Sequence, residues 1–556
     1  MNTKLLKLDF NERSDSVPYW LDANAVNKQK LWSYPDKGLL VEAITKQLKV
    51  NKDQLLITNG GDEAIELLFK LAKLNNKQLV MPLPVFSQYW SGKDLWQLDT
   101  KLIEAQEDLT IDLDAALDAV KDGDILVLTS PNNPTGETLS IEQIEAAAQK
   151  VREKNAWLFL DQAYIEFTTD GISSLKLIEQ FDNIILLRTL SKAYGLAGIR
   201  VGYLLASSKL IKKFSVLAMP FNVSNANLTI ALQAFTESAK LEVQSYSRQI
   251  ALNRELITNM LKDSGLSVIE SQGNFVFVQG EPLKLQLIVA ACNNNAIQIK
   301  DALVGLTASN KAIAAIRISI PFYLERLLQA LRLALRPKLL CFDMDGVLID
   351  TSKSYDQCII ETVKQVTGIV VEPEMILEAR SRGGFNNDWK LTRQLIKELG
   401  TDISLDEVTS IFQDIYLGNK QKAGLCEQEQ PLIEQSLINR LFNAKSKLLN
   451  TAVVTGRPKQ EAIQGLEKLG LKNTILISDD DVSQSKPSPE GINKTKDFFQ
   501  ADTCWMFGDA PDDMQAAKFA GVLAIGIATS ELIRSSLLNA GADIVLENIN
   551  QLEVLI

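Results

Sequence analysis

A chain of 556 residues exceeds what one hydrophobic core accommodates and predicts two or three domains. Apolar residues make up 46% and charged residues 23%, the composition of a folded globular chain, and 58 basic against 69 acidic side chains give a net charge of −11, which argues against non-specific nucleic-acid binding. Histidine is absent, which excludes Ser-His-Asp and Cys-His catalysis, His-ligated zinc and imidazole proton shuttling.

The opening MNTKLLKLDFNERSD turns polar too soon for a signal peptide, and no apolar run approaches a membrane span. Five scattered cysteines without a C-x-x-C pair read as reduced thiols, so a cytoplasmic protein is expected. From residue 53 onward, continuous apolar runs ending in polar or glycine-containing turns alternate with helical patterns: QLLITNGGDEAIELLFKLAKL, DILVLTSPNNPTG, AWLFLDQAYIEF and NIILLRTLSKAYG. Such runs suit a parallel α/β sheet covered on both faces. In sheets of that kind ligands bind where strands end. There stand Asn59-Gly60-Gly61-Asp62-Glu63, which opens a helix, Asp161 with Tyr164 three residues on, and Arg188-Thr189-Leu190-Ser191-Lys192 with Arg200 beyond a turn. A helix N-terminus with small residues favours an anion. A lysine among hydroxyls and near an arginine suits a Schiff base to a phosphorylated aldehyde, and a carboxylate such as Asp161 would keep a pyridine nitrogen protonated.

With Ser130-Pro-Asn-Asn133-Pro-Thr-Gly136 and Gly198-Ile-Arg200 added, the order and spacing of these motifs resemble a fold-type I pyridoxal-phosphate (PLP) aminotransferase over residues 1–335, nearest the histidinol-phosphate aminotransferase family. The resemblance implies that Lys192 is the Schiff-base lysine and that Asp161 pairs with the pyridinium nitrogen. Tyr164 and Asn133 would bond the ring's phenolic oxygen, and Gly61, Asp62, Thr189, Ser191 and Arg200 would surround the cofactor phosphate. It further implies that Phe86 stacks on the ring, and that Tyr34 reaches the cofactor phosphate of a second subunit in a homodimer. Asn11, Glu12 and Arg317 would meet the substrate. Two departures from the family pattern, Asn11-Glu12-Arg13-Ser14 and Asp161-Gln162-Ala163-Tyr164, bear on substrate identity.

The pattern restarts near residue 336. A Leu/Arg-rich helix, YLERLLQALRLALR, reaches Pro337, and KLLCFDMDG follows as a new buried strand. Further strands are TAVVTGR, TILISDD, CWMFGDA and VLAIGIA, with a helical insertion over about 353–447. Asp343 and Asp345, two apart on an extended chain, leave the same face. Paired carboxylates are costly to ionise together unless a cation intervenes, and an all-oxygen set without histidine points to Mg²⁺. With Thr455, Lys486 and Asp509 through Asp513 in order, residues 336–556 resemble a haloacid-dehalogenase (HAD) phosphatase with a Rossmannoid core and a helical cap. The resemblance implies that Asp343 attacks phosphorus and Asp345 is the acid and base. Thr455 and Lys486 would bind the phosphoryl group. Asp343, the Asp345 carbonyl, Asp509 and Asp513 would serve the metal. The cap segment from Arg380 through Arg382, Gly384, Phe385 and Asn386 is a candidate substrate-reading loop.

Two such sites on one chain predict small-molecule substrates: an amino acid, a 2-oxo acid and a phosphoester. A phosphorylated amino alcohol gives both sites work, and histidinol phosphate is the simplest. The alternatives are another amino-acid aminotransferase or a PLP decarboxylase, joined to a phosphatase for an unrelated ester or to a non-catalytic module.

Overall fold

The computed structural model describes residues 4–26, 29–168, 174–382, 387–419, 422–442 and 449–556. The chain forms two compact units, one of Met1–Leu285 with Ala296–Leu328 and the other of Gln286–Asn295 with Gln329–Ile556. Among the described residues no helix is long and apolar enough to cross a membrane.

The first unit holds a short N-terminal strand β1 (Leu6–Leu8), then β2 (Leu55–Thr58), β3 (Leu79–Pro82), β4 (Thr100–Ile103), β5 (Ile125–Thr129), β6 (Trp157–Asp161), β7 (Ile184–Thr189) and β8 (Gly202–Ala206). Strands β2 to β8 form a seven-stranded sheet in the order β2-β8-β7-β6-β5-β3-β4. All neighbours are parallel except β8, which runs antiparallel to both β2 and β7. The sequences ILVLT and IILLRT are buried at every position because helices cover both faces. The helix Gly60–Leu74 packs one such face: its Leu67, Leu68 and Phe69 join Met81, Val127, Phe159 and Ile185 in one core.

Four further strands complete this unit: β9 (Ser267–Val268), β10 (Phe275–Gln279), β11 (Ile297–Ile299) and β12 (Ala315–Ser319). Strand β10 pairs antiparallel with β12 and β9, and β11 pairs parallel with β1. Lys300 and Arg317 exchange backbone hydrogen bonds at 3.0 and 2.8 Å, which links the end of β11 to β12.

The second unit begins its own sheet at β13 (Leu339–Phe342). After it come β14 (Ile349–Asp350), β15 (Gly418–Asn419), β16 (Lys422–Ala423), β17 (Gln430–Pro431), β18 (Asn450–Val454), β19 (Ile475–Ile477), β20 (Cys504–Gly508), β21 (Leu523–Ile527) and β22 (Ile544–Leu546). A six-stranded parallel sheet runs in the order β19-β18-β13-β20-β21-β22. Its core includes Cys341, Val454, Met506, Met514 and Ala524. An inserted module leaves and returns through β14 and β17, which pair antiparallel as a neck. Between them the helices Tyr355–Thr367, Pro373–Ser381, Asp388–Glu398 and Leu405–Leu417 bury a separate core around Ile359, Leu391, Leu395 and Phe412. The neck strands bracket residues 351–429, and the helix Gln435–Leu441 lies beyond them.

Candidate active sites

In the first unit, strand register brings distant motifs to one edge. Thr58 lies opposite Gly202, and Gly202 lies opposite Thr189. Residues just past those positions, Gly60, Ser191 and Arg200, therefore meet at the same end, where β6 also terminates in Asp161. Ser191 and Arg200 line a cavity of about 480 Å³ together with Gly61, Asp62, Phe86, Asn133, Tyr164, Thr189, Lys192 and Arg317. Glu12 also lines it, whereas Asn11 stands behind it, buried, donating through Nδ2 to the Tyr164 hydroxyl at 3.1 Å.

Lys192 Nζ donates to the Phe10 carbonyl at 2.9 Å and lies 5.5 Å above the Tyr164 ring. Asp161 is buried, and burial pushes its carboxyl up to about 6; the Ala163 N–H and the Tyr89 hydroxyl, which both donate to it at 3.0 Å, oppose that shift. A buried carboxylate of this kind is completed by a cationic ring N–H. Asn133 Nδ2 donates to the Tyr164 hydroxyl at 3.3 Å, and Arg317 Nη1 donates to Asn133 Oδ1 at 2.6 Å. Arg317 also reaches the Asp9 carbonyl, yet its Nε is buried without a partner and burial lowers its pKa, which fits a guanidinium awaiting an anion.

The anion end is built from Thr189, Ser191 and Arg200. Thr189 Oγ1 donates to Ser191 Oγ at 2.9 Å and accepts the Ser191 N–H at 3.1 Å. Arg200 has a left-handed backbone (φ 52°), and its Nη2 bonds Asp62 at 2.6 Å. Gly60, at φ +73°, lets that guanidinium approach, since a Cβ there would stand 2.6 Å from Arg200 Nη2. Because the Asp62 carboxylate is spent on Arg200, only its backbone N–H, in the first turn of a helix, suits a phosphate. The donor set, the buried acid and the glycine cradle fit PLP.

Tyr34 does not line this cavity; it is 79% exposed and stacks on Phe221 with ring centroids 4.6 Å apart. Two residues of this site, one on the cavity wall and one behind it, are not marked by any sequence motif. Lys300 lines the cavity beside Arg317, and Tyr89 supports Asp161. Tyr89 stands one helical turn after Phe86, a spacing that signals a shared face.

The second unit repeats the edge logic. Phe342 ends β13 opposite Val453 of β18 and Phe507 of β20. Asp343, Thr455 and Asp509 therefore follow three strand ends side by side. The carboxylate oxygens of Asp343, Asp509 and Asp513 lie within 4.8 Å of one another. Lys486 Nζ donates to Asp343 at 2.8 Å, to Asp513 at 2.5 Å and to the Val454 carbonyl at 3.1 Å. Burial raises the Asp343 pKa against the pull of Lys486, and burial then Asp343 raise that of Asp509 well above the carboxylate range. Three carboxylates, those of Asp343 and Asp513 buried, share one ammonium and lack positive charge, and their hard oxygen donors fit Mg²⁺.

Asp345 is expected to offer the metal its carbonyl and to keep its carboxylate for acid–base work. Its carboxylate lies outside the cluster, on Arg457, whose Nε and Nη2 donate to Oδ1 at 2.7 and 2.5 Å. Arg457 was not singled out in the sequence, although it stands two residues after Thr455 in T-G-R-P. Thr455 is buried, and its hydroxyl accepts the Arg457 N–H at 3.2 Å. The cap arginines differ from expectation. Arg380 is paired with Asp356 at 2.6 Å and Asp388 at 2.7 Å, so its charge is committed within the insert. Arg382 lines a separate surface depression with Ser536 and Asn539. Gly384, Phe385 and Asn386 lie outside the described residues.

Each half of the chain matches a known family model. Residues 3–333 match the family model for class I and II aminotransferases, and residues 340–527 match that for haloacid dehalogenase-like hydrolases. A histidinol-phosphate aminotransferase of Chlorobium limicola is 31% identical over 283 residues, which is 49% of this chain and 78% of that protein. One from Staphylococcus epidermidis is 34% identical over 257 residues, 45% of this chain and 71% of that protein. The solved histidinol-phosphate aminotransferase of Sinorhizobium meliloti in complex with pyridoxal-5'-phosphate aligns with a TM-score of 0.51 at 25% identity, covering 60% of this chain and 90% of that one. The cavity around Lys192 thus sits in a chain that belongs to the class I and II aminotransferases, PLP enzymes, and that carries a haloacid dehalogenase-like hydrolase domain after its aminotransferase domain.

Proposed function

We propose that residues 1–335 transfer an amino group between glutamate and imidazole-acetol phosphate, giving 2-oxoglutarate and L-histidinol phosphate, and that residues 336–556 are an Mg²⁺-dependent phosphatase for the latter. The observation that carries the reading is the convergence of Lys192, Asp161, Tyr164, Asn133 and Arg200 on one cavity, in a chain whose relatives bear that aminotransferase's name.

Bound PLP supplies an electron sink at the substrate's amino-bearing carbon. Asp161 holds the ring nitrogen's proton, and Tyr164, oriented by Asn11 and Asn133, donates to the ring's phenolic oxygen. Lys192 Nζ moves the proton at the substrate carbon. Thr189, Ser191, Arg200 and the N–H groups of Gly61 and Asp62 hold the cofactor phosphate, while Phe86 covers the ring. Arg317 holds the anionic end of the substrate, with Glu12 at the entrance. Tyr34, exposed and away from its own cavity, serves the cofactor phosphate of a second copy in a homodimer.

In the second site Asp343, Asp509, Asp513 and the Asp345 carbonyl would hold Mg²⁺, whose charge would offset that of the phosphoryl group. Asp343 attacks phosphorus as the ester oxygen leaves with a proton from Asp345. Water then attacks the aspartyl phosphate, and Asp345 takes the proton back. Thr455 and Lys486 hold the phosphoryl oxygens. Purified chain given imidazole-acetol phosphate and glutamate is expected to form 2-oxoglutarate and then inorganic phosphate. Transamination without phosphate release from histidinol phosphate overturns the phosphatase assignment, and an unchanged phosphate release in Asp343→Asn overturns the role of Asp343.

A further inference from the structure

Arg457 is 2% exposed, and each of its nitrogens faces a partner. Nε and Nη2 converge on Asp345 Oδ1. Nη2 also donates to Glu429 Oε1 at 3.0 Å, and Nη1 faces Glu429 Oε2 and the Tyr416 hydroxyl, both at 3.4 Å. The Tyr355 ring lies 5.0 Å from the guanidinium. Glu429 immediately precedes the neck strand β17 and is held in turn by Lys468 at 3.0 Å, Tyr416 at 2.9 Å and Ser354 at 3.2 Å. One guanidinium thus joins the Asp345 carboxylate of the sheet domain to the neck and helices of the insert. Among the described residues no hydrogen bond reaches Asp345 Oδ2, and Asp345 lines a small cleft with Tyr355, Asp388 and Trp389.

Buried ionic networks stabilise a fold little compared with apolar groups of the same shape, so their geometry is the better account of why one is present. A carboxylate turns freely about its last torsion, and a planar guanidinium with two donors on one oxygen fixes that plane. We propose that Arg457 is a positioning residue for phosphoryl transfer. It grips Asp345 by Oδ1, leaves Oδ2 free for the proton, and through Glu429 makes the aim of Asp345 depend on a seated insert. This rests on the reading of Asp345 as acid and base. The proton on Oδ2 goes to the ester oxygen as the Asp343–phosphorus bond forms and the phosphorus–ester bond breaks. It is replaced from water when water attacks phosphorus and Asp343 departs.

The test uses the full chain with Mg²⁺ and single-turnover phenol release from aryl phosphates running from 4-nitrophenyl to 4-methoxyphenyl. Nitrophenolate leaves without a proton; methoxyphenolate needs one. Arg457→Gln is expected to keep nitrophenol release within about threefold and to slow methoxyphenol release about 100-fold, the low end of general-acid effects. Arg457→Lys should recover part of that loss, and Glu429→Gln should show the same selectivity. Equal slowing across the series, or none, overturns the proposal. Asp345→Asn separates the two readings. If it does not steepen the dependence on the leaving group, the acid role of Asp345 falls and the proposal with it; if it does and Arg457→Gln does not, only Arg457 loses its role.

Discussion

At Gly346 the backbone adopts φ +65°, and a Cβ would collide with the Asp509 carboxylate. Gly346→Ala therefore adds left-handed strain of about 1–2 kcal/mol and displaces a metal-site oxygen. Calorimetric titration should show weakened Mg²⁺ binding, and phosphatase turnover should fall at least about 100-fold while transamination persists. Glu166 illustrates a different single-residue effect. Its Oε2 is buried without a hydrogen-bond partner, and burial pushes the carboxyl up to about 7 against the pull of Arg188. The folded state then holds a proton that the unfolded state has released between about pH 4.5 and 7, so this group's contribution declines as pH rises through that window. Glu166→Gln should flatten that decline. The variant should gain on wild type at pH 8 relative to pH 5, by up to about 3 kcal/mol, in the calorimetric transition of the first unit.

The helical insert has its own core, and Phe412 is fully buried in it. Phe412→Ala should cost about 3–5 kcal/mol there. Hydrogen exchange should accelerate across 355–417, phosphatase activity should drop, and 2-oxoglutarate formation should hold. At this scale the sequence is legible where burial is two-sided: ILVLT and IILLRT announce parallel strands by unbroken apolar runs. Burial does not encode direction, so nothing in GYLLA, buried at all five positions, distinguishes the antiparallel β8 from its neighbours. The neck is illegible because each of its strands is two residues long and the pair spans the whole insert. The same logic divides the sites. Lys192, Asp161, Asp343 and Asp509 stand in local motifs at strand ends. Arg457 meets Asp345 across 112 residues and Glu429 across 28, and Tyr89 meets Asp161 across 72, so only the fold brings them together. The spacing of Asp345 from Asp343 is legible in the sequence, whereas the arginine that holds its carboxylate is not.

Across the whole molecule, the two sites share no residue: the cavity draws on positions between Asp9 and Arg317, the acidic cluster on Asp343, Lys486, Asp509 and Asp513. They also depend on charge in opposite ways. The cavity gathers Lys192, Arg200, Lys300 and Arg317 for anionic ligands, whereas the cluster gathers three carboxylates that need a cation before a phosphate dianion can approach. Chelation with EDTA should therefore abolish phosphate release and leave glutamate-dependent 2-oxoglutarate formation within about twofold, with Mg²⁺ restoring the lost step. Stripping PLP should do the reverse, leaving hydrolysis of added histidinol phosphate intact. Under the proposed assignment hydrolysis consumes what transamination makes, so phosphate release from imidazole-acetol phosphate and glutamate should lag 2-oxoglutarate. In Lys192→Ala that release should vanish, while hydrolysis of histidinol phosphate supplied directly continues. If EDTA slows both reactions equally, the metal serves more than the acidic cluster and the division of labour drawn from these residues is wrong.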